Sequence, residues 1–515
     1  MTRRKLPIGI QTFREIREDG HYYVDKTGFA LRLIEQGKYY FLSRPRRFGK
    51  SLFLDTLAEL FAGNEPLFQG LEAHGRWDWG RRYPVIRLGF GGGVLRDRAE
   101  LDDKIGELLA EAERQLGVAG DAPTLSGRLA QIIRLAHERH GERTVVLVDE
   151  YDKPILDNLA RPEAARDIRD GLRNLYSVIK DSDAHLRFGF LTGVSKFSKV
   201  SLFSGLNNLI DITVDAKYSA ICGYTEADLD TIFAPELQGL DRDEIRHWYN
   251  GYNWTGEAVY NPFDLLLLFQ RRQFRAWWFE TAMPTFLVDL LLERRVFLPR
   301  LGQLRSDAAL LSSFDVGQIA VEALLFQTGY LTIDSEEQRF GEYWYRLRYP
   351  NHEVYQSLNS SLLKAWTANG QDMLGNKQRL GDLLLANDFA GLEELFTAFF
   401  ASIPNDWYRN NPIASYEGYY ASVFYAYFAS LGLDLTPEET SNAGRLDMAL
   451  RFNGQVYLFE FKVVELAPEG RALAQLKDKG YAERYRADGG PIHLIGVEFS
   501  RERRSVVGFA VETLG

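Results

Sequence analysis

The sequence predicts a multidomain α/β protein. It should comprise a parallel sheet with helices on both faces, a helical middle region, and a second, smaller α/β domain at the C-terminal end. Three observations predict it. Apolar strands alternate with helical patterns over about the first 215 residues, which is the signature of a parallel, three-layered sheet. Helical segments rich in aromatics then take over to about residue 345. Near the end, an Asn-Gly turn joins two runs of alternating hydrophobicity. At 515 residues the chain is too long for one ordinary domain, and two to four are expected.

The elements follow in order. Residues 38–43 read as a buried strand and 50–61 as a helix. A strand at 84–88 precedes helices at 97–116 and 124–140. The run Thr144-Val-Val-Leu-Val148 is a further strand, followed by a helix near 163–180 and a strand at 188–192. In the middle region, Trp248–Trp254, Trp277–Phe279 and Leu324–Leu331 carry dense aromatics, which read as packing. The expected domains are 1–215, a helical region at 216–345, connecting helices at 346–405, and a last domain at 406–515.

Composition is that of a soluble globular chain, with 45% hydrophobic and 26% charged residues. No run of 18 apolar residues occurs, and the basic start Met1–Lys5 lacks an apolar segment after it. Neither a signal peptide nor a membrane span is therefore expected. The single cysteine, Cys222, allows no internal disulfide or cysteine-rich zinc site and fits a reducing cytoplasm. A net charge of -10 argues against a general nucleic-acid coat but permits local basic patches. Those at Arg294, Arg295 and Arg300 and at Arg501, Arg503 and Arg504 read as solvated faces. His137-Glu-Arg-His140 spaces its histidines by three positions, one short of a zinc-protease motif.

Arg44-Pro-Arg46-Arg47-Phe48-Gly49-Lys50-Ser51 follows the first strand and opens a helix, the context of a phosphate-binding loop for a nucleotide. Amides at the helix start face phosphates. Lys50 would reach the β- and γ-phosphates, and the Ser51 hydroxyl would ligate Mg²⁺. Arg44 stands where the usual pattern has its first glycine. The strand Thr144–Val148 runs into Asp149-Glu150. Asp149 suits a water-mediated Mg²⁺ contact, and Glu150 suits polarising an attacking water. Thr192 ends the next strand, either as a γ-phosphate sensor or as a strand cap. Arg46 or Arg47 could act across a subunit boundary in a homo-oligomer, within its own loop, or on a partner.

The stretch from Arg445 to Val463 is the most informative. Asn453-Gly454 calls for a type I′ hairpin turn. A two-residue loop places Phe452 opposite Gln455, and stepping outward brings Asp447 opposite Glu460. Opposed residues share a face at about 4.5–5.5 Å between Cβ atoms, and Lys462 lies on that face too. The other face, with Leu446, Met448, Leu450 and Phe452 against Tyr457, Phe459, Phe461 and Val463, is expected to be core. Two opposed carboxylates repel, and a hard divalent ion, Mg²⁺ or Mn²⁺, resolves the repulsion. Lys462 could orient a water or stabilise developing charge. The plain alternative is a solvated face with a Glu–Lys ion pair. Glu417, at the start of an apolar helix, could be a third metal ligand or a helix-end charge. Gln475 and Lys477, on a following helix, are the candidates for nucleic-acid contact, with an exposed helix residue as the alternative for Gln475.

The chain resembles proteins that join an AAA-ATPase-like domain to a C-terminal PD-(D/E)XK nuclease domain. The resemblance rests on Leu6-Pro-Ile-Gly-Ile-Gln, Tyr23-Val-Asp-Lys-Thr27, Arg44–Ser51, Val148-Asp-Glu-Tyr-Asp-Lys-Pro154, Thr192-Gly-Val194, Ser204-Gly-Leu-Asn-Asn208, Tyr260-Asn-Pro-Phe263, Gln327-Thr-Gly-Tyr-Leu331, and Gly444-Arg-Leu-Asp447 with Glu460-Phe-Lys462. It implies ATP binding by the first domain and a restriction-endonuclease-like fold for the last. It also implies metal-ligand roles for Asp447 and Glu460, and a catalytic role for Lys462. Leu446 stands where the pattern has proline. The expected partner is nucleic acid, DNA ahead of RNA, with defence or mobile-element biology as a guess from the class. A switch-type ATPase whose last domain only binds nucleic acid or a protein is the alternative.

Overall fold

The computed structural model describes residues 3–196, 208–279, 287–288, 290–291, 294, 296–311, 320–366, 370–402, 417–441, 444–503 and 505–515. The chain divides into two compact units, one of Met1–Ala282 with Arg305–Asn351 and one of Met283–Leu304 with His352–Gly515.

The first unit is built on a five-stranded parallel sheet of β1 (Tyr39–Ser43), β2 (Val85–Gly89), β3 (Thr144–Asp149), β4 (Leu186–Gly193) and β5 (Ile210–Asp211), in the order β2-β3-β4-β1-β5. All five residues of β1 and the first five of β3 are buried. That explains their continuous apolar runs, because helices cover both faces of a parallel sheet. The helices fall where the apolar period places them: α1 (Lys50–Phe61), α2 (Arg98–Leu116), α3 (Leu125–His140) and α4 (Pro162–Asp181). Asp97 and Thr124 cap α2 and α3 by accepting the Glu100 and Gly127 amides. Because the strands are parallel, the ends of β1, β3 and β4 open on one edge, with β4 between the other two. Open α/β sheets bind ligands at that edge.

The middle region is helical, as its periodicity suggests, and its aromatics are core. Phe233, Tyr249, Tyr260 and Phe269 are buried together with Ile245 and Leu265. It also contains an antiparallel sheet that the sequence reading did not include, β6 (Arg305–Asp307), β7 (Thr332–Arg339) and β8 (Glu342–Arg348), ordered β6-β8-β7. Only the first two residues of β7 are buried, so no apolar alternation marks it. Helix α5 (Val321–Thr328) ends at Gly329, whose φ is 89°. A Cβ there would overlap the Pro45 ring.

The second unit carries a mixed sheet of β9 (Leu435–Ser441), β10 (Gly444–Phe452), β11 (Gln455–Val464), β12 (Ile492–Ser500) and β13 (Ser505–Leu514), ordered β13-β12-β11-β10-β9. Only β11 and β12 run parallel. Helix α6 (Glu417–Ser430) packs Phe424 and Phe428 on Phe461 and Phe459. Helix α7 (Arg471–Asp478) covers the opposite face, where Leu476, Tyr481 and Tyr485 meet Leu458 and Leu494. The sheet is therefore buried on both faces, whereas the hairpin pattern alone implied one core face.

Gly329→Ala combines left-handed backbone strain with a clash against Pro45 in the loop after β1, and should destabilise the first unit by about 2 kcal/mol. Thermal unfolding checks this; an unchanged first transition contradicts it.

Candidate active sites

The segment Arg44–Ser51 leaves β1 and starts α1 at Lys50, with Gly49 as the left-handed cap at φ 93°. Its side chains divide sharply. Arg44 is fully buried and turns away from the loop mouth. Its guanidinium donates to the carbonyls of Ser43 (2.8 Å), Thr213 (2.9 Å) and Tyr218 (2.9 Å), and lies 3.9 Å from the Trp254 ring centre. Burial lowers its pKa to about 10. Arg44 is thus a brace that ties the loop to residues 213–218, which accounts for its place at a position usually held by glycine. Phe48 is buried edge-on against Tyr252 and Trp254, so only its backbone can serve a phosphate. Arg46 and Arg47 are exposed.

The Lys50 ammonium donates to the Arg44 and Pro45 carbonyls at 2.9 and 2.8 Å. Burial lowers its pKa, while Asp149 opposes the shift. Lys50, Ser51, Arg46, Arg47 and Glu150 line a cavity of about 360 Å³, whose apolar wall includes Ile10, Tyr23, Val24 and Phe263. Volume and lining suit a nucleotide. Glu150 is held at φ 50°. Burial first, and then the Asp149 charge, raise its pKa. Thr192 is fully buried, and its hydroxyl has no hydrogen-bond partner among the described residues. Asp152, to which the Val148–Pro154 motif assigns no role of its own, accepts the Val194 amide at 3.0 Å and the Ser195 amide and hydroxyl at 2.6 and 2.5 Å. It shapes the turn after β4. Its signal was present: a second aspartate three residues beyond Asp149, against an apolar strand.

In the second unit the Asn453-Gly454 turn has both residues at positive φ, 50° and 71°. The register runs as expected from Phe452↔Gln455 to Met448↔Phe459. The ladder then stops. Asp447 is not paired with Glu460 through the backbone; its carboxylate instead accepts the Phe461 amide at 2.9 Å. Leu446, which strict alternation puts with Met448, packs with Ala449, Leu458 and Leu476. Beyond the last ladder pair, alternation no longer fixes the face a side chain takes.

Glu460 is only 1% exposed. Its Oε1 accepts the Lys462 ammonium at 3.1 Å and the Gln475 amide. Its Oε2 is buried with no hydrogen-bond partner among the described residues. Burial and then the Asp447 charge push its pKa up to about 7, against the pull of Lys462 and of a backbone hydrogen bond from Asp447. Gln475 also bonds the Tyr481 hydroxyl. Lys477 is not brought to this site; it pairs with Glu512 at 2.7 Å. The side chain of Glu417 and residues 204–207 lie outside the described residues. Among the described residues, no three or more His, Cys, Asp or Glu side chains form a metal-binding group. Asp447 and Glu460 are a pair, and the orphaned Glu460 oxygen is what fits them to a cation.

Two residues absent from the sequence reading place Gln475. Gly496 sits beside Glu460 in the β11–β12 register, and a Cβ there would overlap the backbone of Ala472 and Leu473. Its bareness lets α7 lie on the sheet. Glu498, in a strand buried along its whole length, accepts the amides of Glu469, Gly470 and Ala472 at 2.5, 3.0 and 3.2 Å. Burial pushes its pKa up, but the backbone amides outweigh it and hold the carboxyl below its ordinary range.

Glu498→Gln should cost about 2 kcal/mol through loss of charge-assisted bonds. Because the folded pKa is depressed, that stability is present above the ordinary carboxylate range and fades as pH falls through the folded value. Urea unfolding at pH 7 and pH 4 should show the wild-type advantage shrinking in acid; a constant difference contradicts it.

Comparison with known proteins gives a family match over each of the two regions. A model for predicted AAA-ATPases matches residues 7–203, and one for the PD-(D/E)XK nuclease superfamily matches residues 415–509. The chain is 70% identical, over 516 residues and 100% of both chains, to an uncharacterized protein in the vnfD 5′ region of Azotobacter chroococcum mcd 1. Among the described residues, no helix is long and apolar enough to cross a membrane. The chain belongs to the family that joins a predicted AAA-ATPase domain to a PD-(D/E)XK nuclease superfamily domain.

Proposed function

We propose that the chain binds and hydrolyses ATP at the phosphate loop and cleaves nucleic-acid phosphodiesters at Asp447, Glu460 and Lys462, with ATP regulating cleavage. One observation carries the nuclease half: a carboxylate oxygen of Glu460 is buried without a partner beside a second carboxylate and a lysine. On this reading residues 1–215 form the ATPase domain, 216–345 its lid, 346–405 the connection and 406–515 the nuclease domain.

Asp447 and Glu460 would hold Mg²⁺ or Mn²⁺, with waters completing the shell. The ion supplies Lewis-acid polarisation of the phosphodiester and a more acidic water. Lys462, fixed on Glu460, is placed to orient that water or to neutralise charge building on the phosphate oxygens. Gln475 holds the same carboxylate from α7, so it positions a ligand as well as facing substrate. At the first site, Lys50 and Ser51 would serve the phosphates and Mg²⁺. Glu150, made more basic by burial, would take the proton of the attacking water.

Asp447→Ala should lower metal-dependent cleavage of single- and double-stranded DNA or RNA by at least about 10²-fold, while ATP turnover stays within twofold. Undiminished cleavage contradicts the assignment. Binding of nucleic acid by the wild type without cleavage in Mg²⁺, Mn²⁺ and ATP supports the switch-type alternative.

Glu460 also makes metal binding visible as stability. Its folded pKa, about 7 against an ordinary 4.5, makes its contribution most favourable at low pH and lost as pH rises through about 7. Without metal, Glu460→Gln should therefore gain stability relative to wild type on going from pH 5 to pH 8. Mn²⁺ should raise the wild-type Tm more at pH 8 than at pH 6, since metal and proton compete for this carboxylate. Differential scanning fluorimetry checks both; a Mn²⁺ shift retained in full by Glu460→Gln contradicts them.

A further inference from the structure

The three loop arginines have different surroundings, and the difference bears on how the proposed ATP hydrolysis is catalysed. Arg44 is consumed by the fold through its three carbonyl bonds. The Arg47 guanidinium lies 4.9 Å from the centre of the Phe263 ring, on the apolar wall of the cavity. Arg46 differs from both. Its side chain is exposed and makes no ion pair or hydrogen bond among the described residues, while it lines the same cavity as Lys50, Ser51 and Glu150. Its backbone is fixed, because the Trp278 indole donates to the Arg46 carbonyl at 2.9 Å. Gly329 packs closely on the neighbouring Pro45. The Arg46 charge is felt by the Glu150 carboxyl without forming a salt bridge to it. An uncommitted guanidinium on a fixed backbone, lining the same cavity as the group that would receive the water proton, is available for charge that develops only during the reaction.

We infer that Arg46 supplies, within its own chain, the positive charge that stabilises the transferring γ-phosphoryl group, and that Arg47 serves nucleotide binding. This rests on the ATP-hydrolysis reading above. In the step, the water oxygen bonds to the γ-phosphorus and its proton passes to Glu150. The bond from the β,γ-bridging oxygen to the γ-phosphorus breaks, leaving its electron pair on ADP. Arg46 faces the γ-phosphoryl oxygens, where the charge is spread. Because the cation comes from the loop itself, no second subunit is needed to complete the site.

The test uses the full-length chain with Mg-ATP, phosphate release for kcat, and a fluorescent ATP analogue for Kd. Arg46→Ala should lose about 10³-fold in kcat with Kd within threefold, and Arg46→Lys should recover only part of it, since an ammonium lacks the planar fork. Arg47→Ala should weaken Kd and keep kcat within a few-fold. Specific activity should not change with protein concentration. A kcat for Arg46→Ala within threefold of wild type overturns the inference. So does turnover restored by mixing Arg46→Ala with Lys50→Ala chains, which would mean an arginine acting across subunits. Wild-type protein that binds ATP without turning it over removes the hydrolysis reading and this inference together; absent binding removes the phosphate-loop assignment itself.

Discussion

A carboxylate withdrawn from water must be hydrogen-bonded, paired or bound to a cation, or it gives up its charge. Glu460 is provided for only in part. Lys462 and Gln475 occupy Oε1, and Oε2 is sealed off with nothing to meet it among the described residues. The surroundings create this condition. Helix α7 can lie over β11 and β12 because residue 496 has no side chain, and its start is held down by Glu498. That places Gln475 and Tyr481 over Glu460 and removes water from it. Asp447, just past the last β10–β11 ladder pair, adds a second negative charge. A divalent ion is the simplest partner that satisfies both carboxylates at once.

The phosphate loop follows the same logic with the signs reversed. Here buried cations are the constraint. Arg44 is satisfied by backbone carbonyls and the Trp254 face, and so becomes part of the scaffold. Lys50 rests on the carbonyls of its own loop, partners that a phosphate outcompetes as a full anion. The left-handed backbone at Arg47 (φ 67°) and Glu150 (φ 50°) is strain of the kind found where geometry serves function.

Much of this was legible in the sequence because the decisive signals are local. Continuous apolar runs marked β1, β3 and β4 within two residues of where they lie, since a strand buried on both faces has no other composition. The Asn-Gly turn fixed the hairpin register from Phe452 to Met448, because a two-residue loop admits one pairing. What stayed hidden depends on contacts between distant segments. Nothing local reveals that α7 covers the second face of the hairpin, that Arg44 points into the fold, or that Lys477 goes to Glu512. The exposed strand β7 escaped for the opposite reason: with no face to bury, it carries no alternation. Glu498 and Asp152 were readable in principle as charges beside apolar runs, but their partners are backbone amides that a sequence cannot point to.

The central claim is that Glu460 and Asp447 share a divalent ion through the oxygen that now lacks a partner. A crystal of the protein soaked in Mn²⁺ and measured at the manganese absorption edge tests it directly. The account predicts an anomalous peak within ligand distance of both Glu460 Oε2 and an Asp447 carboxylate oxygen, and its loss in Glu460→Gln. Manganese bound only elsewhere, or an Oε2 that stays dry and unpartnered at saturating metal, would contradict it.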